Sequence, residues 1–266
     1  MKEKIMGSSN FLDEITKDLK ATDIVNIIGK IGSGKTSLAV NIVKNIVINS
    51  NKNVAIYSLE SFSVSLLSLI TELKNKSLNV FINKTDFEKN KEIKEKVNAG
   101  FFYMFDGAGM TTKKMKLAID NLSKEIEKYE KKLDLILIDY LQLTYPSTDN
   151  LYIDTKDKKG QELKENYDVL IKQFADTNLN EIMKTNIKQL KEISKNYNIP
   201  IILVTMLSDN KEQENEQRKI IKENSDIVIE IKRQEDNSQI EITNSKNKTE
   251  VINCKFDKNS CEFIQK

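Results

Sequence analysis

Residues Ile24-Val25-Asn26-Ile27-Ile28-Gly29-Lys30-Ile31-Gly32-Ser33-Gly34-Lys35-Thr36 decide the fold of this chain. The last eight, Gly29 to Thr36, match the pattern G-x-x-x-x-G-K-[ST] at every position. The apolar run before them reads as a buried strand. Behind them Leu38, Ala39, Ile42, Val43, Ile46 and Val47 recur at helical spacing. Strand, glycine loop and helix in this order form the context in which the pattern cradles phosphate. Glycines permit backbone geometries that a Cβ resists, so successive N–H groups along Gly29, Lys30, Ile31, Gly32, Ser33 and Gly34 can face anionic oxygens. The helix that starts near Lys35 adds its positive dipole end. Lys35 is placed to reach β- and γ-phosphates and Thr36 to ligate magnesium, with Ser37 next in the same turn. The chain is therefore expected to bind a nucleoside triphosphate, ATP, together with magnesium (Mg2+).

A length of 266 residues fits one large α/β domain. Hydrophobic residues at 39% supply a core, and charged residues at 31% supply a solvated surface. The net charge of +2 announces no nucleic-acid partner, so local lysine clusters must carry that argument. Of the 42 basic residues only Arg218 and Arg233 are arginine, and histidine is absent. Histidine bases, catalytic triads and histidine-ligated metals are thereby excluded, which leaves carboxylates for acid–base work. Cys254 and Cys261 are too few for a metal site. They flank the turn-like Asp257-Lys258-Asn259-Ser260 and so can face each other across a terminal hairpin; buried reduced thiols are the other reading. No segment has transmembrane length, and residues 1–23 lack the apolar run of a signal peptide. A cytoplasmic protein without membrane contact is expected.

Periodicity predicts further strands at Val54–Leu59, Phe101–Phe105, Leu133–Asp139 and Ile201–Thr205, with Pro200 opening the last. Helices are predicted over residues 61–74, after a cap at Thr111 or Thr112, and over Glu181–Tyr197. Ile227–Ile231, Gln239–Thr243 and Glu250–Phe256 read as shorter strands at hairpin spacing. This order predicts an α/β fold, a mostly parallel twisted sheet flanked by helices with antiparallel additions at the C-terminus. Ligands bind such sheets at the carboxyl ends of their strands, where the glycine loop, Glu60 and Asp139 all fall. One domain over 1–266 is expected, with a long insertion at about 144–180 that includes a helical pattern through Leu163, Tyr167, Leu170, Ile171 and Phe174.

Asp139 ends an apolar strand, where it either caps a turn or holds the magnesium shell beside Thr36. Glu60 is a candidate general base; on position alone a solvated surface glutamate fits equally well. The surrounding residues add a resemblance. Ile138-Asp139-Tyr140-Leu141-Gln142-Leu143, together with Ser58-Leu59-Glu60 closely after the glycine loop, is similar to the C-terminal RecA-like ATPase domain of DnaB-type replicative helicases. The similarity continues, in the family's order, through Phe105 to Thr111, Asn198 to Val204 and Ser225 to Val228, and covers the chain from about Gly7. It implies a RecA-like P-loop NTPase fold, Glu60 as the catalytic glutamate and Asp139 as the magnesium-shell aspartate. Arg233 matches an arginine that packs near the base and ribose, a surface salt bridge being its alternative. Lys246-Asn247-Lys248 resembles a K-N-[RK] element whose basic residues reach a neighbouring subunit's γ-phosphate. Lys246 and Lys248 are thus candidate catalytic residues acting in trans; the alternative is an exposed hairpin of solvated lysines.

The chain also departs from that family. Its N-terminal domain and most of the linker between subunits have no counterpart here, Met206 stands where the family has a γ-phosphate-sensing glutamine, and Arg218-Lys219-Ile220-Ile221 lacks the small residues of R-x-S-G. The resemblance implies an ATP-hydrolysing helicase on single-stranded DNA in replication, assembled as a homo-oligomeric ring or filament and meeting other replication proteins. Its DNA loops correspond to Lys156, Lys158, Lys159 and Lys164, then to Lys211, Arg218, Lys219 and Lys222. These form either a positive groove or merely a solvated face. A non-unwinding accessory ATPase, a helicase loader or recombination mediator, is the alternative that Met206 favours.

Overall fold

The computed structural model describes residues 12, 19–50, 52–59, 64–75, 79–82, 101–106, 110–145, 179–234, 237–244 and 248–266. Among them one sheet of ten strands organises the chain. Its middle strand is β1 (Ile24–Gly29), paired in parallel with β8 (Ile201–Met206) on one side and β9 (Ile227–Gln234) on the other. Beyond β8 the parallel order continues through β6 (Leu135–Asp139), β2 (Val54–Ser58), β4 (Phe101–Asp106) and β3 (Asn79–Ile82). Beyond β9 lie the antiparallel β10 (Asn237–Asn244), β11 (Thr249–Asp257) and β12 (Glu262–Gln265).

Every residue of β1 is buried, because a parallel strand is covered on both faces. The pleat sends Val25 and Ile27 into one core and Ile24 and Ile28 into the other. Helices α1 (Lys35–Ser50) and α2 (Val64–Asn75) close the first core, joined by Phe256 and Phe263 of the C-terminal hairpin. The second is closed by α3 (Thr112–Glu127), α4 (Leu179–Tyr197) and α5 (Lys211–Asn224). Thr111 caps α3, its side chain accepting from Lys114 N–H at 3.2 Å, and Met115, Ile119, Leu122 and Ile126 form the buried stripe. A small ribbon pairs β5 (Met110–Thr111) with β7 (Thr144–Tyr145). Thr205 Oγ1 donates to Asn26 Oδ1 at 2.6 Å within the sheet, a buried polar tie between β8 and β1.

Some elements differ from the sequence reading. Residues 211–224 form α5 where a basic loop was expected. Asn210 caps it by accepting from the N–H groups of Glu212 and Gln213, and only Ile220 and Ile221 are buried, too few apolar positions to show a helical stripe. β3 was not anticipated, because it is a four-residue strand at the sheet margin. The terminal hairpin is present, yet Cys254 lies opposite Gln265 while Cys261 sits in the turn, and both thiols are free. Burial pushes the Cys254 thiol up to about 11, so it is protonated and unreactive at neutral pH. Residues 146–178, including most of the expected insertion, lie outside the described residues. So do Glu60, Lys246 and the lysines at 156, 158, 159 and 164.

Candidate nucleotide-binding site

The parallel register fixes where the site forms. Gly29 pairs with Met206, Asp139 with Val204, and Ser58 with Asp139, so β1, β8, β6 and β2 end at one edge of the sheet. Gly29 leaves β1 into the glycine loop and α1 starts at Lys35. A Cβ on Gly29 would meet Ser33 Oγ at 2.6 Å and Ile231 O at 2.9 Å. The loop is thus wound too tightly against β9 for any side chain there. Gly34 has φ +95°, and a Cβ on it would lie 2.8 Å from Phe263 Cζ. Gly34→Ala is expected to destabilise the fold by about 1–3 kcal/mol through backbone strain and overpacking. Gly32→Ala, with φ +72° but nothing within 4 Å of its Cβ, is the smaller change. Urea denaturation of the two variants compares them; equal losses would show that contact with Phe263 is irrelevant.

Two residues read as magnesium ligands meet at this edge. Thr36 Oγ1 donates to Asp139 Oδ1 at 3.2 Å, joining the first turn of α1 to the end of β6. Leu59 N–H donates to Asp139 O at 2.8 Å, so the chain just before Glu60 also runs beside Asp139. One hydroxyl and one carboxylate suit magnesium, which keeps waters and phosphate oxygens as its remaining ligands. Among the described residues no cluster of three or more acidic or cysteine side chains offers a dedicated metal cage. Ser33 Oγ is buried without a hydrogen-bond partner, a polar atom that an anion in the loop would satisfy. The donor set therefore fits a magnesium-bound triphosphate.

Lys35 Nζ donates to Lys30 O at 2.7 Å, across the loop. Gly29, Lys30, Ile31, Gly32 and Ser33 form one wall of a cleft of 580 Å³, with Arg218 and Glu230 to Arg233 opposite. Arg233 belongs to this cleft: its Nη1 donates to Gly32 O at 3.4 Å and its guanidinium lies 4.3 Å from the centre of the Phe256 ring. That cation–π contact fixes an arginine beside the loop although 201 residues separate it from Gly32. Lys248 lies elsewhere. It is exposed in the turn between β10 and β11, where Asn244 pairs with Ile227 and Ile227 pairs with Val25. Gly29 lies four steps along β1 from Val25, so the end of β10 that precedes Lys248 is roughly 13 Å or more from the chain's own loop.

Other contacts were invisible in the sequence. Gln142, in a single 3-10 turn after β6, donates to Met206 O at 2.5 Å and accepts from Met206 N–H at 3.3 Å. Lys30 forms a 2.7 Å ion pair with Glu214, and Arg218 Nη2 donates to Glu214 at 2.7 Å. Hydrogen bonds from Lys30 and then Arg218 hold the Glu214 carboxyl below the usual carboxylate range. Arg218 also donates to Glu230. It is therefore committed to ion pairs, and the expected basic loop is a helix whose first turn carries Glu212 and Glu214. Lys211, Lys219 and Lys222 remain exposed on that helix.

Comparison with known proteins follows the same lines. Residues 6–263 match the family described as DnaB-like helicase C terminal domain. A "Probable replicative DNA helicase" of Trieres chinensis is 26% identical over 97% of this chain and 56% of its own length. The "Replicative DNA helicase DnaC" of Bacillus subtilis is 26% identical over 91% of this chain and 49% of its own. The chain thus spans about half the length of these curated relatives. A solved structure described as a DnaB-like replicative helicase and its interactions with primase superposes with a TM-score of 0.64 at 17% identity, covering 96% of this chain and 62% of that one. That likeness establishes the RecA-like fold.

Proposed function

Because the chain belongs to the DnaB-like helicase C terminal domain family, we propose that it is an ATP-hydrolysing motor acting on single-stranded DNA during replication, in the cytoplasm. The observation that carries this reading is the Thr36–Asp139 contact at the mouth of a glycine loop. Magnesium, when bound there, neutralises charge on the phosphate oxygens. The loop N–H groups and Lys35 orient the triphosphate, and Arg233 packs beside the base and ribose. Glu60 takes the proton of the attacking water. Lys246 and Lys248 act on the γ-phosphate of an adjacent subunit, in a ring or filament. Residues 1–266 serve as one ATPase domain, with the 144–180 segment as its insertion.

Asp139→Asn keeps the shape of the side chain but removes its negative charge and one of its two acceptor oxygens. Magnesium titration of ATP turnover is expected to shift to higher concentration by about tenfold or more, the scale of weakening a metal shell. An unchanged titration removes Asp139 from that role. The reading as a motor is tested by strand displacement on a forked DNA beside DNA-stimulated ATPase. Unwinding supports the motor. ATPase without unwinding supports an accessory role, which Met206 favours, since a thioether cannot imitate an amide's paired donor and acceptor.

A further inference from the structure

The glycine loop is tied to α5 through one side chain. Lys30 Nζ donates to Ser208 O, lies 2.7 Å from Glu214 Oε2 and 3.8 Å from Asp209 Oδ1. Glu214 also accepts from Arg218 Nε at 3.2 Å and Nη2 at 2.7 Å, and Arg218 Nη1 continues to Glu230 on β9. The charges therefore run from the loop, through α5, to the strand beside the loop. The two acids are shielded, with side-chain exposures of 16% for Glu214 and 13% for Glu230. Ser208 is bound into the same unit, its N–H donating to Gln217 at 2.8 Å and its hydroxyl to Gln213 at 2.9 Å.

The main chain of Lys30 faces the other way. Its carbonyl accepts the Lys35 ammonium at 2.7 Å, the group that a triphosphate in the loop attracts. One residue thus touches the phosphate-reading lysine through its backbone and α5 through its side chain. Meanwhile Met206, the last residue of β8, has no side-chain amide with which to sense a phosphate, and its backbone is held by Gln142.

We propose that Lys30 couples phosphate occupancy to the segment 207–224 through Glu214 and Arg218, a route that does not need an amide at position 206. This rests on the nucleotide-binding reading of the loop. A ligand moves an equilibrium only by interacting differently with its two states. Phosphate oxygens draw Lys35 from the Lys30 carbonyl and compete with Glu214 for the Lys30 ammonium, so the attachment of α5 weakens as the loop fills. An isolated surface ion pair would contribute little. This one is networked, partly shielded and built on the loop that receives the anion.

Amide hydrogen exchange of residues 207–217 in the full chain tests the coupling, measured with and without a non-hydrolysable ATP analogue plus magnesium. The analogue is expected to accelerate exchange there by roughly tenfold, within the usual range of coupling between sites. Glu214→Gln keeps the size of the side chain but removes the charge that Lys30 and Arg218 share. It is expected to exchange fast in both conditions and to bind the analogue more tightly than wild type, by up to roughly tenfold, because coupling between two sites is reciprocal. Glu212→Gln, exposed in the same first turn, is expected to respond like wild type. The proposal is overturned if the wild-type chain binds the analogue without a change in 207–217, a result that needs no variant. It is equally overturned if Glu214→Gln keeps the full response. A wild-type chain that binds no analogue overturns this coupling and the nucleotide-binding reading together.

Discussion

Replacing Lys35 with alanine is expected to cut ATP turnover by about a hundred- to a thousandfold, the cost of deleting one preorganised group that stabilises transition-state charge. Lys35 begins α1, directly after the tightest part of the loop, and its ammonium crosses the loop to Lys30 O at 2.7 Å. It is therefore held where phosphate oxygens collect at the helix N-terminus. Alanine keeps the helix, since it is the best helix former, and leaves the Thr36–Asp139 contact in place. The loss should appear mainly in turnover, with nucleotide affinity falling by about 1.5–3 kcal/mol for the missing charge-assisted bond. Steady-state hydrolysis beside equilibrium binding separates the two. Turnover within about threefold of wild type would falsify the assignment of the loop, because deleting a preorganised group that stabilises transition-state charge costs about a hundredfold or more.

The second large effect concerns Lys248. The β10–β11 turn that carries it lies at the end of the sheet remote from Gly29, so the same chain's loop is out of its reach. If it acts on a phosphate, that phosphate belongs to another subunit, as head-to-tail assembly would provide. An arginine in such a role supplies about a thousandfold or more. A lysine lacks the planar fork, so Lys248→Ala is expected to lower turnover of the assembled protein by about a hundredfold. Mixing Lys248→Ala subunits with Lys35→Ala subunits is the decisive measurement. A junction that joins an intact loop from one variant to an intact Lys248 from the other should regain hydrolysis. Normal turnover by Lys248→Ala alone, or no recovery on mixing, leaves the turn as a solvated hairpin.

The fold was largely legible because its central strands and helices bury long apolar patterns. β1, β6 and β8 are near-continuous hydrophobic runs, the composition that covering on both faces demands. α3 and α4 show the 3.6-residue stripe, through Met115, Ile119 and Leu122 and through Met183, Ile187 and Leu190. α5 escaped detection because packing only Ile220 and Ile221 leaves twelve of its 14 residues outside the core, so its start is marked by the Asn210 cap and not by an apolar stripe. The same polar composition reads as a basic loop until the partners of Arg218 are seen.

What the sequence determined by itself is the chemistry contained in consecutive residues. A glycine loop between a strand and a helix needs only local backbone geometry, so Gly29 to Thr36 point to phosphate binding without help from the rest of the chain. An aspartate at the end of an apolar strand is likewise a local pattern. Tertiary structure decided which distant residues share that edge. Thr36 meets Asp139 across 103 residues, and Arg233 meets Gly32 across 201, because parallel pairing aligns the ends of β1, β6 and β9. It also decided that Lys30 grips α5 and that Lys248 is remote from its own loop. Side-chain spacing along a strand gives a face, but only the register between strands gives a neighbour.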